Sequence, residues 1–129
     1  MMNDMGKSAR ILLAEDNELN QNLVTRMLDK MGYACDIAGD GRQAVELFTG
    51  GNYDVIFMDG QMPVMDGYEA TRRIREIERC ERKESAAPKV TIIAMTANDA
   101  DSCKESGMDD YLSKPLSFKS LEQMLQKWA

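Results

Sequence analysis

Three short, unbroken apolar runs constrain this chain more than any other feature: Ile11-Leu12-Leu13-Ala14, Val55-Ile56-Phe57-Met58 and Val90-Thr91-Ile92-Ile93-Ala94-Met95. Such runs are the signature of strands covered on both faces. Ala34-Cys35-Asp36-Ile37 and Tyr111-Leu112 read as weaker, shorter strands. Helical periods lie between them. Val24, Met27, Leu28 and Met31 recur at i, i+3, i+4 and i+7, and Leu121, Met124, Leu125 and Trp128 repeat that spacing. Asp40 with Gln43, and Asp66 with Glu69, resemble capping boxes that start helices running through Phe48 and through about Cys80. The second of these helices turns Ala70, Ile74 and Ile77 inward. Its outer face pairs Glu69 with Arg73 and Glu78 with Arg82, a solvated pattern. The charged stretch from Glu81 to Pro88 reads as a loop. A further helix, from about Asn98 to Ser106, has Ala100 and Cys103 as its buried candidates and stops at Gly107. So little apolar anchoring predicts a mobile element.

Strands alternating with helices throughout predict a (βα)5 fold, a doubly wound five-stranded parallel sheet with right-handed crossovers. The 129 residues suit one domain, read as 10–129 with 1–9 as a tail or linker. Ligands of such sheets bind at the carboxyl ends of the strands.

Charge and composition remove several classes of function. Sixteen basic against 22 acidic residues give a net charge of -6, which argues against direct nucleic-acid binding, since lysine and arginine carry that affinity. The chain has no histidine, so Ser-His-Asp and Cys-His catalysis and imidazole metal ligation are excluded. Cys35, Cys80 and Cys103 form no C-x-x-C pair, which argues against a disulfide framework or zinc site and for a reducing cytoplasm. They read as inert, buried or semi-buried thiols. No apolar run approaches the ~20 residues that cross a bilayer, so no direct membrane contact is expected. Of the 11 methionines, Met27, Met31, Met58, Met95 and Met124 fall at core-facing spacing, which assigns them to packing.

The polar residues that close the strands form a single constellation. Glu15-Asp16 follow the first strand, Asp59 the third, Thr96 the fourth, and Lys114-Pro115 the fifth. In a parallel sheet all of them emerge on one edge. Glu15-Asp16 alone fits a helix cap, Thr96 alone a turn, Lys114 alone the surface and Tyr111 alone the core. Their joint placement favours a site. Two unit charges ~4 Å apart in a partly screened site repel by about 4 kcal/mol, so three carboxylates call for a hard, oxygen-seeking cation such as Mg²⁺.

The motifs Ala14-Glu15-Asp16-Asn17, Met58-Asp59-Gly60-Gln61-Met62-Pro63-Val64-Met65-Asp66-Gly67, Met95-Thr96-Ala97 and Lys114-Pro115 resemble the receiver domain of two-component response regulators. The wording around Glu15 and Met62 is most similar to receivers of hybrid sensor histidine kinases. The resemblance implies a flavodoxin-like sheet of order 2-1-3-4-5 and Asp59 as phosphoacceptor. It makes the donor the phosphohistidine of a histidine kinase or a histidine phosphotransfer domain. It further implies that Asp16 ligates Mg²⁺ directly, Glu15 through water and Gln61 through its backbone carbonyl, with Mn²⁺ as a substitute. Lys114 and Thr96 would contact the phosphoryl group, and Thr96 with Tyr111 would relay the switch. The Gln61 and Asn98 side chains would tune its lifetime. The family opens its first motif with two aspartates, and Glu15 at the first bears on metal geometry. A receiver is no enzyme as an isolated domain, and it is cytoplasmic, alone or as the cytoplasmic part of a membrane-bound sensor kinase.

Three rivals have discriminating residues. A Mg²⁺-dependent phosphohydrolase would carry a second aspartate where Gln61 stands. A flavodoxin-like cofactor carrier would need a Ser/Thr/Gly-rich loop in place of Glu15-Asp16. A phosphorylation-independent docking module would not need the full set of pocket residues.

Overall fold

The computed structural model describes residues 9–81, 90–96, 106–113 and 116–128. Strands β1 (Ile11–Ala14), β2 (Cys35–Ala38), β3 (Val55–Asp59), β4 (Thr91–Thr96) and β5 (Asp110–Ser113) form one sheet in the order β2-β1-β3-β4-β5, every neighbour parallel. The helices among the described residues are α1 (Glu18–Lys30), α2 (Gly41–Gly50), α3 (Gly67–Glu81) and α4 (Phe118–Trp128). The expected doubly wound, flavodoxin-like sheet is therefore present in the expected order. Of the helix expected over Asn98 to Ser106, only Ser106 is described; it is helical and is followed by Gly107 at φ 100°. Cys103 and Arg82 also lie outside the described residues.

Period-two alternation explains why the central strands are apolar throughout. Leu12, Ala14, Ile56, Met58, Ile92 and Ala94 face Ala44, Ala70 and Ile74 on one side of the sheet. Ile11, Leu13, Phe57, Ile93 and Met95 face Val24, Leu28, Leu121 and Leu125 on the other. Each large side chain so buried contributes about 1.5–3 kcal/mol. The β2 strand is an edge, with Asp36 and Ile37 exposed, which is why its apolar pattern is weak.

Both expected caps form, each with half of the reciprocal box. Asp40 accepts from the Gln43 amide at 2.8 Å, while the Gln43 side chain reaches past Asp40 to the Gly39 amide. Asp66 accepts from the Glu69 amide at 2.8 Å, but the Glu69 carboxylate turns outward to Arg72 and Arg73.

The outer-face reading of α3 holds for Glu69 and fails for Glu78. Glu78 is buried: one carboxylate oxygen meets Arg75 at 2.8 Å and the other accepts the Val90 amide at 2.6 Å. The same Arg75 guanidinium meets Asp109 at 2.7 Å and donates to the carbonyls of Val90 and Gly107. Asp109 also accepts the Ile92 amide. This lattice ties the end of α3 to the start of β4 and to the turn before β5, at the amino edge of the sheet. Cys80 corrects a second expectation, since it is exposed on α3. Cys35 is partly buried, and burial together with Asp36 raises its thiol pKa against the lowering effect of Thr25, which keeps it unreactive.

At the sheet's other flank Asp110 accepts from Lys127 Nζ and Trp128 Nε1, both at 3.0 Å, pinning the end of α4. Burial raises the Asp110 pKa, but the Trp128 indole, the Tyr111 amide and the Lys127 ammonium outweigh it and hold the group below 3.8. A carboxyl whose pKa falls on folding contributes stability above its unfolded pKa and loses it as pH falls through the folded value. Trp128→Phe is expected to unfold at a lower temperature than wild type near neutral pH, with the gap narrowing below pH 3.8. A gap unchanged by acid in thermal melts would assign the effect to packing alone. Among the described residues no helix is long and apolar enough to cross a membrane.

Candidate functional site

Parallel register assembles the site. Ala14 of β1 pairs with Met58 of β3, so the next residues, Glu15 and Asp59, emerge side by side at the carboxyl edge. Here the chain leaves β1 for β2 on one side and β3 continues the sheet on the other, which makes it the topological switch point. Ligand oxygens of Glu15, Asp16 and Asp59 all lie within 4.8 Å of one another. Glu15 and Asp59 are buried, at 1% and 4% exposure, while Asp16 is exposed.

Neighbouring backbone amides hold the Glu15 and Asp59 carboxylates. The Asn17 amide donates to Glu15 at 3.1 Å, and the Gln21 side chain donates to the Glu15 carbonyl at 2.6 Å. Asn17, and neither acid, caps α1 by accepting the Asn20 amide at 3.0 Å. The acids are therefore not consumed by capping. The Gln61 amide donates to Asp59 at 3.2 Å, and the Gln61 side chain is on the exposed surface.

The loop after Asp59 is folded back under strain. Val64 has φ 68°, and the Met65 amide reaches the Pro63 carbonyl at 2.7 Å, closing a three-residue turn. A β-branched residue at positive φ costs about 1–3 kcal/mol. Gly67 then brings α3 against β3: its amide donates to the Gly60 carbonyl, and a Cβ there would lie 2.0 Å from the Asp59 carbonyl oxygen. No sequence signal marks the positive φ of Val64.

The other expected residues are placed unevenly. The Thr96 backbone ends β4 beside Ser113 of β5, on the same edge, but the Thr96 side chain and the whole of Asn98 and Lys114 lie outside the described residues. Tyr111 is 41% exposed, so the reading of it as an ordinary core residue does not hold. Three carboxylates at this spacing present only hard oxygen donors, which fits Mg²⁺ and does not fit a soft metal.

Fold and carboxylates together define a flavodoxin-like α/β domain with a three-carboxylate cleft at its switch point. Residues 11–126 match the response regulator receiver domain family, and the chain belongs to that family. It is 44% identical over 130 residues to hybrid signal transduction histidine kinase B of Dictyostelium discoideum, a match that covers 94% of this chain and 7% of that protein. Among solved structures, the receiver domain of sensor histidine kinase PA1611 from Pseudomonas aeruginosa, with a magnesium ion coordinated in its active-site cleft, superposes with TM-score 0.81. It is 44% identical over 93% of this chain and 96% of that one. The Saccharomyces cerevisiae complex of the histidine phosphotransfer protein Ypd1 with the receiver domain of Ssk1 superposes with TM-score 0.86, at 32% identity over 93% of this chain and 88% of that one.

Proposed function

We propose that this chain accepts a phosphoryl group on Asp59 from the phosphohistidine of a histidine kinase or histidine phosphotransfer domain, and that the acceptance switches its output surface. The carboxylate trio at the switch point carries this reading. The sequence has no histidine, so the phosphohistidine lies outside these 129 residues. One Asp59 carboxylate oxygen forms a bond to phosphorus as the phosphorus–nitrogen bond breaks, and the released imidazole nitrogen takes a proton. Carboxylate is a weak nucleophile, so the protein works by positioning and by charge. The Gln61 amide fixes the orientation of the Asp59 carboxylate. Asp16 and Asp59 would hold Mg²⁺ directly, Glu15 through water, and the Gln61 carbonyl would complete the protein's share, with Mn²⁺ able to replace the ion. When bound, the cation neutralises charge on the transferring group. Lys114 and Thr96 take the phosphoryl oxygens, Gln61 and Asn98 set its lifetime, and Thr96 with Tyr111 carries the change outward.

The partner surface is the rim of this cleft. Leu19 and Leu23 on α1 are 75% and 45% exposed, and Val64 on the strained loop is 76% exposed, all at the carboxyl edge. Apolar side chains flanking an acidic cleft suit the docking of a protein partner that must seat its phosphohistidine over Asp59. The domain, proposed as residues 10–129 after a short tail or linker, acts once per phosphoryl group and is not itself a turnover enzyme. It lies in the cytoplasm, within a longer kinase or alone.

Acetyl phosphate labelling read by intact mass tests the chemistry. Wild type is expected to gain the mass of one phosphoryl group only with Mg²⁺ present, and Asp59→Asn to gain none. An adduct on Asp59→Asn, or no adduct on wild type, overturns the assignment.

A further inference from the structure

Tyr68, the second residue of α3, is a polar side chain that none of these roles uses. Its ring packs against the layer that contains Leu12, Ala14, Met58 and Ala70. Its hydroxyl is buried and has no hydrogen-bond partner among the described residues. A phenolic hydroxyl withdrawn from water and left unpaired raises the free energy of the state that contains it. Buried tyrosines ordinarily find a partner. The hydroxyl lies over Gly60: a Cβ there would stand 2.8 Å from the hydroxyl oxygen and 3.0 Å from Cζ. Glycine at position 60 is what leaves the hydroxyl its space. Gly60 directly follows Asp59, and its amide makes a long 3.4 Å bond to the Met95 carbonyl of β4. The unpaired donor thus sits at the seam where the strand of Asp59 separates from the strand that ends in Thr96.

We propose that Tyr68 is a positioning residue for the phosphorylated state: its hydroxyl is unpaired in the unphosphorylated protein and takes a hydrogen bond at the β3–β4 seam when a phosphoryl group sits on Asp59. The inference rests on Asp59 as the acceptor. A ligand shifts a two-state equilibrium only through free energy that differs between the states, and a hydroxyl unpaired in one and paired in the other supplies such a difference. Deleting the hydroxyl stabilises the resting state and removes a bond from the phosphorylated one, so both effects act in the same direction.

Tyr68→Phe removes only the hydroxyl. Wild type and variant are compared by thermal unfolding in chelator, by acetyl phosphate labelling with Mg²⁺, and by calorimetric titration with beryllofluoride and Mg²⁺ as the phosphoryl stand-in. The variant is expected to unfold at the same or a higher temperature, to label on Asp59, and to bind beryllofluoride about two- to tenfold more weakly. Lower unfolding temperature means that the hydroxyl is partnered at rest, and equal beryllofluoride affinity means that it gains nothing on phosphorylation; either overturns the proposal. Failure of wild type to label would instead remove Asp59 as acceptor. The melts in chelator read the resting state independently of that outcome.

Discussion

Arg75→Met is expected to cost about 3–5 kcal/mol of folding stability, the largest single-residue effect outside the apolar layers. The reason is the pair of carboxylates it would leave behind. Arg75, Glu78 and Asp109 have side chains only 11%, 8% and 12% exposed, and the guanidinium is the shared partner of both acids. Methionine retains much of the stem's packing but none of the five donors, so two nearly buried carboxylates would lose the guanidinium they share. For a domain of this size such a loss lowers the melting temperature by about 10 °C or more. Pairing the change with Glu78→Gln should restore part of it, because a neutral amide tolerates burial better than a charged carboxylate. The lattice lies at the amino edge of the sheet and the carboxylate trio at the carboxyl edge. Acetyl phosphate labelling of Asp59 below the melting range should therefore survive. A loss under about 1 kcal/mol would mean that water solvates these groups, and the lattice would then have no structural weight.

The buried lattice also marks the limit of what the sequence conveys. Strands β1, β3 and β4 were legible because burial on both faces leaves the runs apolar but for Thr91 at the start of β4, and that constraint is local. The acids of the site were legible for a related reason: in a parallel sheet every strand ends on the same edge, so order along the chain gives proximity in space. Glu78 was misread because an acid on a helix surface looks solvated, and its partners across the fold, the Val90 amide and an arginine shared with Asp109, are invisible to helical periodicity. The Asp110 clasp on Trp128 was hidden in the same way. Val64 was illegible on a different ground. A β-branched residue at positive φ runs against local propensity, and such departures collect where a site imposes its own geometry. The unpaired Tyr68 hydroxyl belongs with Val64, since both break a folding rule in the segment that follows Asp59.

The carboxylate trio breaks a third rule, and its cost should be measurable. In chelator, Asp59→Asn is expected to be more stable than wild type by about 1–2 kcal/mol, although a substitution at a buried polar position ordinarily destabilises. Asparagine keeps an oxygen to accept the Gln61 amide while removing one of three negative charges gathered within 4.8 Å. Even with the Lys114 ammonium that the family places at this edge, three carboxylates leave the wild-type cleft net negative. Adding Mg²⁺ should reverse the order. A cation that binds only the folded protein stabilises it by about 2.7 kcal/mol at a concentration 100 times its dissociation constant, and the variant, lacking one ligand, should gain far less. Thermal melts of both proteins across a Mg²⁺ titration therefore are expected to cross. Parallel curves, or a wild type already more stable in chelator, would mean that the acids do not repel one another at rest. A crossing would show that the cleft is held at a stability cost so that a cation, and then a phosphoryl group, can lower its free energy: the same charges that weaken the resting fold make it responsive.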